Sequence, residues 1–260
     1  MRATYTGELE QLRLQVEVMG VRVDQNLERM REVLATGDRR LAARGIAADD
    51  EIDAMNLSLT ERCYDLLRRE QPVASDLRLV VSVIRVLGEL ERIGDLALRV
   101  LKLAPEHALI ASNAATYDIL MGMADEATTR YRAALAAWAT DDLDVAVELA
   151  GGSASMTLHR DRLTAELCAL DRPDAVPLAL ATTTAGQAFD RIADHASVIG
   201  ARLRYLLTGD PDHLFTFTTV GVLDTQPASF SMHEGRLFAT TWTNFKTFRG
   251  CGLYMSPVVS

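Results

Sequence analysis

At 260 residues, with 48% hydrophobic and 24% charged residues, the chain has the composition of a folded globular protein and not of a disordered one. Its net charge of −9 argues against a general nucleic-acid binder, because such proteins need clustered Lys and Arg to displace counterions from phosphates. It contains no run of about 18 apolar residues, and its start, Met1–Tyr5, lacks the apolar segment of a signal peptide. We therefore expect a cytoplasmic protein.

Three long helices are predicted in the first half of the chain. Apolar residues recur at alternating steps of three and four, which is typical of helices with one buried face. Gly37 and the Gln71-Pro72 pair separate the periodic segments, because Gly stops helices and Pro begins them. The predicted helices cover about residues 3–35, 39–69 and 76–104. Short connections between long helices predict antiparallel packing into a three-helix bundle.

The second half repeats this plan. The predicted helices cover about residues 111–139, 143–169 and 174–207. Gly151 and Gly152 interrupt the middle helix, where each glycine costs about 1 kcal/mol relative to Ala. We therefore predict a kink or a break at Gly151-Gly152-Ser153. The fold class is all-α, with two tandem pseudo-symmetric three-helix bundles in residues 1–107 and 108–210.

Residues 211–260 are predicted to form an irregular C-terminal tail outside the repeat. Residues 213–260 hold eight of the 15 aromatic residues and five charged residues. Phe215–Val220 and Leu237–Trp242 have strand propensity and no helical periodicity. The sequence leaves three alternatives for this tail: a small appended hairpin, an oligomerisation or docking extension, or a segment that packs poorly.

One short pattern occurs twice, in Leu90–Ala97 and in Phe189–Ala196. Each copy has two carboxylates four residues apart, an Arg after the first carboxylate, and an Ile and a small residue before the second. Four residues are about one helical turn, so the two carboxylates of each copy share one face of a helix. The apolar stripe of each helix lies on the opposite face, which predicts that the carboxylates lie on the outer side of each bundle. These carboxylates are Glu91, Asp95, Asp190 and Asp194.

The repeated carboxylate pairs predict a cation site. Like charges at this spacing oppose helix formation by about 0.2–0.5 kcal/mol, and a bound cation would relieve the repulsion. Carboxylate oxygens suit hard ions such as Mg²⁺, Ca²⁺, Mn²⁺ or ferric iron, and a neighbouring helix must complete the ligand shell. In the first half, the acidic stretch Asp49, Asp50 and Asp53 is a source of further ligands. The corresponding stretch of the second half, residues 151–155, has no carboxylate.

Two other interpretations of the motif remain open. Arg92 precedes Asp95 by three residues, and Arg191 precedes Asp194 by three, so each copy also fits a surface helix with its own ion pair. Such a protein would be a plain helical interaction module without metal. A carboxylate-bridged metal oxidoreductase would instead place the ligands inside a bundle.

Other residue types give weaker predictions. His195 lies beside Asp194, but its counterpart in the first copy is Leu96, which argues against a shared role as a metal ligand. Cys63 and Cys168 lie inside helical patterns and are predicted to be buried thiols. The sequence contains no glycine-rich phosphate loop and no recognisable Ser or Cys nucleophile motif, so we expect no enzyme.

These motifs resemble the PhoU family, bacterial regulators of phosphate uptake and signalling. The resemblance covers about residues 3–209 and is based on both copies of the motif and on two further stretches, Gln71–Arg78 and the acidic Asp49–Asp53. It implies two tandem three-helix bundles with surface metal sites, whose metal (Fe, Mn, Mg or Zn) stays open. The implied ligands are Glu91, Asp95, Asp190 and Asp194, with Asp49 and Asp53 as supporting ligands.

The resemblance also implies a function. It predicts a non-enzymatic negative regulator that links a phosphate ABC transporter to a sensor histidine kinase, contacts the membrane through these partners, and forms a homodimer. Two features depart from the family pattern. The second half lacks the acidic stretch, and the aromatic tail after His213 matches nothing in the family. The prediction of a metal site is therefore stronger for the first bundle than for the second.

Overall fold

The chain divides into a helical unit, Met1–Phe217, and a small second unit, Thr218–Ser260. The computed structural model describes residues 2–70, 72–214, 227–233, 236–241 and 254–257. Within these residues, no helix combines the length and the apolar character that crossing a bilayer requires. The helical unit is all-α, as the sequence predicts.

The first bundle consists of α1 (Arg2–Thr36), α2 (Arg39–Glu70) and α3 (Ala74–Leu101). Each helix packs against the other two. The turn between α1 and α2 places Gly37 at φ +69°, a conformation that favours glycine. Asp38 then caps α2, because its carboxylate accepts hydrogen bonds from the backbone N–H groups of Arg40 and Leu41 at 2.8 and 3.1 Å.

The sequence predicts that the third helix ends near Ala104, but it ends at Leu101. A 3₁₀ turn, Ala104–Glu106, follows and contains Pro105 in its first turn. A short helix that the sequence did not predict, α4 (His107–Ile110), comes next. Pro105 therefore lies inside a new turn and not directly at the end of α3, since the helix ends four residues before it.

The second bundle consists of α5 (Ala114–Thr140), α6 (Leu143–Ala150), α7 (Ala154–Cys168) and α8 (Ala175–Thr208). α6 and α7 together take the place of α2. Gly152 lies at φ +80° between them, and Ser153 caps α7 by accepting a hydrogen bond from the Met156 N–H at 3.1 Å. The predicted break at Gly151-Gly152-Ser153 is confirmed.

The two bundles pack against each other along α1 with α5 and along α3 with α8. In the first contact, the buried Tyr131 hydroxyl donates to the Gly20 carbonyl at 2.7 Å. In the second contact, His195 Nδ1 lies 2.6 Å from Glu89 Oε2. The two halves of the repeat therefore share one helical unit, and polar contacts between distant residues join them.

The described residues of the small second unit form three short antiparallel strands in the order β1-β2-β3. They are β1 (Pro227–His233), β2 (Arg236–Thr241) and β3 (Tyr254–Pro257). β2 coincides with the strand propensity that the sequence shows at residues 237–242. The similar propensity at Phe215–Val220 lies outside the described residues.

The cysteine predictions have different outcomes. Cys63 is buried in the first bundle, as predicted, and burial raises the pKa of its thiol to about 12. Cys168 is exposed, so the prediction of a buried thiol was wrong there. Cys168 is the last residue of α7, where the chain leaves the bundle and no neighbouring helix covers it. Cys251 lies outside the described residues.

Candidate functional site

The first copy of the motif faces the acidic stretch of the neighbouring helix. Asp49, on α2, is buried, with 7% of its surface exposed. Glu91 on α3 is half-buried, whereas Asp53 and Asp95 are exposed. The carboxylates therefore lie along the groove between α2 and α3, with their outer members open to solvent.

The small residue of the motif makes this contact possible. A Cβ atom placed on Gly94 would lie 3.2 Å from Asp49 Oδ1 and 3.5 Å from the Ile52 side chain. This spacing is tighter than most side chains accept, so a glycine at this position lets α2 bring its carboxylate directly over α3. The small residue of the first copy, Gly94, is therefore part of the site geometry.

Burial and the neighbouring carboxylates raise the affinity of Asp49 and Glu91 for protons. The pKa of Asp49 is raised to about 6 by burial and by the charges of Asp53, Asp95 and Glu91. The pKa of Glu91 is also raised, by burial and by Asp95 and Asp53, while Arg92 opposes the shift. The structure thus brings together the two motif carboxylates and the two supporting carboxylates that the sequence analysis named.

The donor set of this first cluster fits a hard cation. All its groups are carboxylate oxygens, and their mutual repulsion is the energy that a bound cation would remove. Within the described part of the chain, no group of three or more His, Cys, Asp or Glu side chains is already arranged around one metal position. Binding of a cation would therefore require these carboxylates to move closer to one another.

The second copy of the motif has arginines among its neighbours. Asp190 and Asp194 are half-buried on α8. Asp190 Oδ2 lies 3.3 Å from Arg160 Nη1 on α7. The pKa of Asp194 is raised by burial and by Asp190, while Arg191 and Arg160 are among the neighbours that oppose this shift. This copy therefore has positive charges of its own within reach.

The acidic stretch of α2 has no acidic counterpart in the second bundle. Asp38 caps α2 and Asp142 caps α6 in the same way, because each carboxylate accepts a hydrogen bond from the backbone N–H three residues later. These two capping residues are 104 positions apart in the chain. This offset makes Ser153 the counterpart of Asp49. The Ser153 hydroxyl donates to Glu126 Oε1 at 2.8 Å. Where the first bundle offers a buried carboxylate, the second offers a hydroxyl that is already hydrogen-bonded.

Glu89 joins the two copies of the motif, and the sequence analysis missed it. Its carboxylate contacts His195 of the second copy at 2.6 Å and Arg92 of the first copy at 3.8 Å. Only the spacing to Arg92, one helical turn, was visible in the sequence. The contact with His195 joins residues 106 positions apart and gives no local pattern. His195 is thus engaged by Glu89.

The structure also bears on the ion pairs that a plain helical module would form. Among the described residues, no ion pair within 4.0 Å joins Arg92 to Asp95 or Arg191 to Asp194. Arg92 is directed to Glu89 instead. The motif carboxylates lie at the edges of the helical grooves and not in the apolar core, which does not match the buried site of a carboxylate-bridged oxidoreductase.

Fold and site together define a class of protein with two tandem three-helix bundles that carry one carboxylate motif on the last helix of each bundle. A sequence profile of the PhoU domain matches residues 16–104. The chain is 31% identical over 209 residues to the "Phosphate-specific transport system accessory protein PhoU homolog" of Pseudomonas putida, covering 79% of this chain and 81% of that protein. The chain belongs to the PhoU family.

Further relatives agree with this assignment. The "Phosphate-specific transport system accessory protein PhoU" of Escherichia coli (strain K12) is 28% identical over 207 residues, covering 79% of this chain and 86% of that protein. The crystal structure of PhoU from Pseudomonas aeruginosa superposes with a TM-score of 0.75 at 29% identity, covering 79% of this chain and all of that one. The PhoU structure from Streptococcus pneumoniae, at 24% identity and a TM-score of 0.71, supports the fold.

Proposed function

We propose that this chain is an accessory protein of phosphate transport that acts as a negative regulator of phosphate uptake and of phosphate-starvation signalling. In this role it is a non-enzymatic cytoplasmic adaptor between a phosphate ABC transporter and a sensor histidine kinase. The observation that carries the proposal is the similarity over 79% of the chain to proteins named as accessory to the phosphate-specific transport system. The carboxylate cluster supports it, because carboxylate oxygens gathered between two helices are the ligand type that hard cations prefer.

The proposed cofactor is a metal ion held by the first cluster. Glu91 and Asp95 of α3 would bind it directly, and Asp49 and Asp53 of α2 would complete the shell. A hard cation supplies positive charge there, and ligands from two helices would tie α2 to α3 and order the surface between them. The pKa of Asp49 is raised by burial and by the neighbouring carboxylates, and the second cause supports this assignment, because the same charges that attract protons attract a cation.

Elemental analysis tests the metal proposal. Purified protein should contain metal, and the double variant Glu91→Ala, Asp95→Ala should lose it. Glu61 and Asp65 of α2 provide a matched control, because they have the same spacing, lie in the same bundle and are exposed. The variant Glu61→Ala, Asp65→Ala should keep the metal. Equal metal content in the motif variant and the unaltered protein would contradict the ligand assignment.

Gene deletion tests the regulatory proposal. Cells without the gene should express phosphate-starvation genes in high phosphate, and the intact gene should restore repression. The motif double variant should restore less repression than the Glu61, Asp65 control variant. Unchanged expression after deletion would contradict the regulatory role.

Two further experiments test the proposed partners. Copurification of the transporter ATPase and the kinase with the tagged chain tests the adaptor role. Sedimentation of the purified chain tests the proposed homodimer.

A further inference from the structure

We propose that the second copy of the motif is an internal ion-pair latch and not a second metal site. In this assignment Arg160 of α7 supplies the positive charge that a metal would supply in the first copy, and it ties α7 to Asp190 of α8. The inference deepens the proposed metal role, because it confines bound metal to the first bundle. It rests on the proposed function only where it predicts the metal content of the protein.

The position of Arg160 supports the latch. Its guanidinium lies 3.3 Å from Asp190, with 46% of the Arg160 side chain and 23% of the Asp190 side chain exposed, so the pair lies at the solvent edge of the bundle. Both residues line one groove between α7 and α8, together with Leu163 and Gly186. A cation at the Oδ2 atom of Asp190 would compete with this guanidinium. The first of the two motif carboxylates is therefore already engaged.

A second arginine adds to the positive charge on this side of the bundle. Arg130 of α5 donates to the Leu149 carbonyl at 3.0 Å and to the Ser197 hydroxyl at 2.9 Å. Burial lowers the pKa of Arg130, and the negative charges of Glu126 and Asp194 are among those that oppose this shift. These carboxylates are therefore close enough to stabilise the charged guanidinium. Asp194, like Asp190, has an arginine nearby.

The counterparts of both arginines in the first bundle are neutral. With the offset of 104 residues that relates Asp38 to Asp142, Arg130 corresponds to Asn26 and Arg160 corresponds to Asn56. The same offset relates the acidic Asp49 to Ser153. The first bundle thus gathers carboxylates around its motif, whereas the second replaces a carboxylate by a hydroxyl and two amides by guanidinium groups. At positions 130 and 160 the second bundle therefore places positive charge where the first bundle has none.

The packing of α7 indicates why an ion pair would stabilise the position of this helix. Met156 and Leu163 are the buried residues of this fully described helix, and the Gly152 break separates it from α6. By contrast, α2 is continuous over 32 residues and buries residues along most of its length. A helix with few apolar anchors depends more on polar contacts to hold its place. The Arg160–Asp190 pair holds α7 in the middle of its length.

Metal titration of the full chain tests the assignment. The protein is stripped with a chelator and titrated with Mn²⁺, and bound metal is measured by calorimetry and elemental analysis. Asp190→Asn should leave the metal content unchanged. Arg160→Gln should increase bound Mn²⁺, and adding Asp190→Asn to it should remove the increase. Arg162→Gln, at an exposed position of the same helix, is the matched control and should bind like the unaltered protein.

Two results of this titration would overturn the proposal. Loss of bound metal in the single variant Asp190→Asn would show that the second motif is a metal site. Unchanged metal content in Arg160→Gln would show that Arg160 does not exclude metal from it.

Thermal unfolding in the presence of a chelator gives a readout without metal. Asp190→Asn should lower Tm by about 1–3 °C, because Arg160 loses its partner. Glu91→Gln should raise Tm by a similar amount, because it removes repulsion among the first four carboxylates. A rise in Tm for Asp190→Asn would overturn the latch. If the unaltered protein binds no Mn²⁺, the proposed metal role fails, while the opposite signs of these two shifts still test the latch.

Discussion

The two copies of one motif lie in different electrostatic surroundings. Around Glu91 and Asp95, two further carboxylates come from α2, and the pKa of Asp49 rises to about 6. Around Asp190 and Asp194, the neighbouring helices contribute Arg130 and Arg160. The motif determines which helical face carries the carboxylates. The residues on the neighbouring helices determine whether these carboxylates pair with an arginine of the chain or are left to bind a cation from solvent.

The largest expected effect concerns what the copies share, the isoleucine of the motif. Ile93 and Ile192 are both fully buried. Ile93→Ala and Ile192→Ala should each lower the free energy of unfolding by about 2–5 kcal/mol, because each leaves a cavity in a packed core. Urea denaturation measures both. Leu57→Ala, at a side chain that is 64% exposed, is the control and should have little effect. A loss in one bundle only would show that the copies are packed differently.

The next effect concerns the break that distinguishes α6 and α7 from α2. Gly152 lies at φ +80°, so Gly152→Ala should destabilise the protein by about 1–2 kcal/mol. Gly88→Ala is the control, because it lies inside α3 with nothing within 4 Å of an added Cβ. It should stabilise the protein by up to about 1 kcal/mol. Thermal melts of both variants measure the effects, and the same sign for both would contradict the conformational argument.

The charge contrast predicts a pH dependence in the first bundle. The pKa of Asp49 is about 6 in the folded chain, above its ordinary value of 3.8, so this group destabilises the fold above pH 6 and ceases to do so below pH 3.8. With chelator present, Asp49→Asn should stabilise the protein by about 1 kcal/mol at pH 8 and much less at pH 4. Asp144→Asn, at an exposed residue of α6, is the control. An equal gain at both pH values would contradict the shift.

The smallest effect concerns the arginine of each copy. Arg92 is exposed and reaches Glu89 at 3.8 Å, and Arg191 is also exposed. Arg92→Ala and Arg191→Ala should each change the free energy of unfolding by less than about 0.5 kcal/mol, because exposed ion pairs contribute little. Chemical denaturation at low and high salt measures this. A loss above about 1 kcal/mol would favour the helical module in which these arginines pair with the motif aspartates.

Much of the fold could be predicted because the sequence pattern of a helix is local. The 3.6-residue periodicity gave the long helices, and Gly151-Gly152-Ser153 gave the break, since both depend on residues within a few positions of each other. The end of α3 and the exposure of Cys168 were missed. The exposure of Cys168 depends on which helices cover the end of α7, and a single helix does not show this in its own sequence.

The candidate site was predicted in part for the same reason. The spacing of Glu91 and Asp95 placed both on one face, and the acidic stretch at Asp49 was a plausible partner from composition. The contacts of Glu89 with His195 and of Arg160 with Asp190 were not predicted, because they join residues on different helices.

The sequence by itself determined the duplicated helical plan and the identity of the repeated carboxylates, since turn spacing and apolar periodicity act over a few residues. Only the tertiary structure decided what each carboxylate pair faces. Packing of α2 over Gly94 brings Asp49 onto the first pair, and packing of α7 against α8 brings Arg160 onto the second. Because electrostatic energy depends on distance in space and not along the chain, the same motif acquires different surroundings in the two bundles.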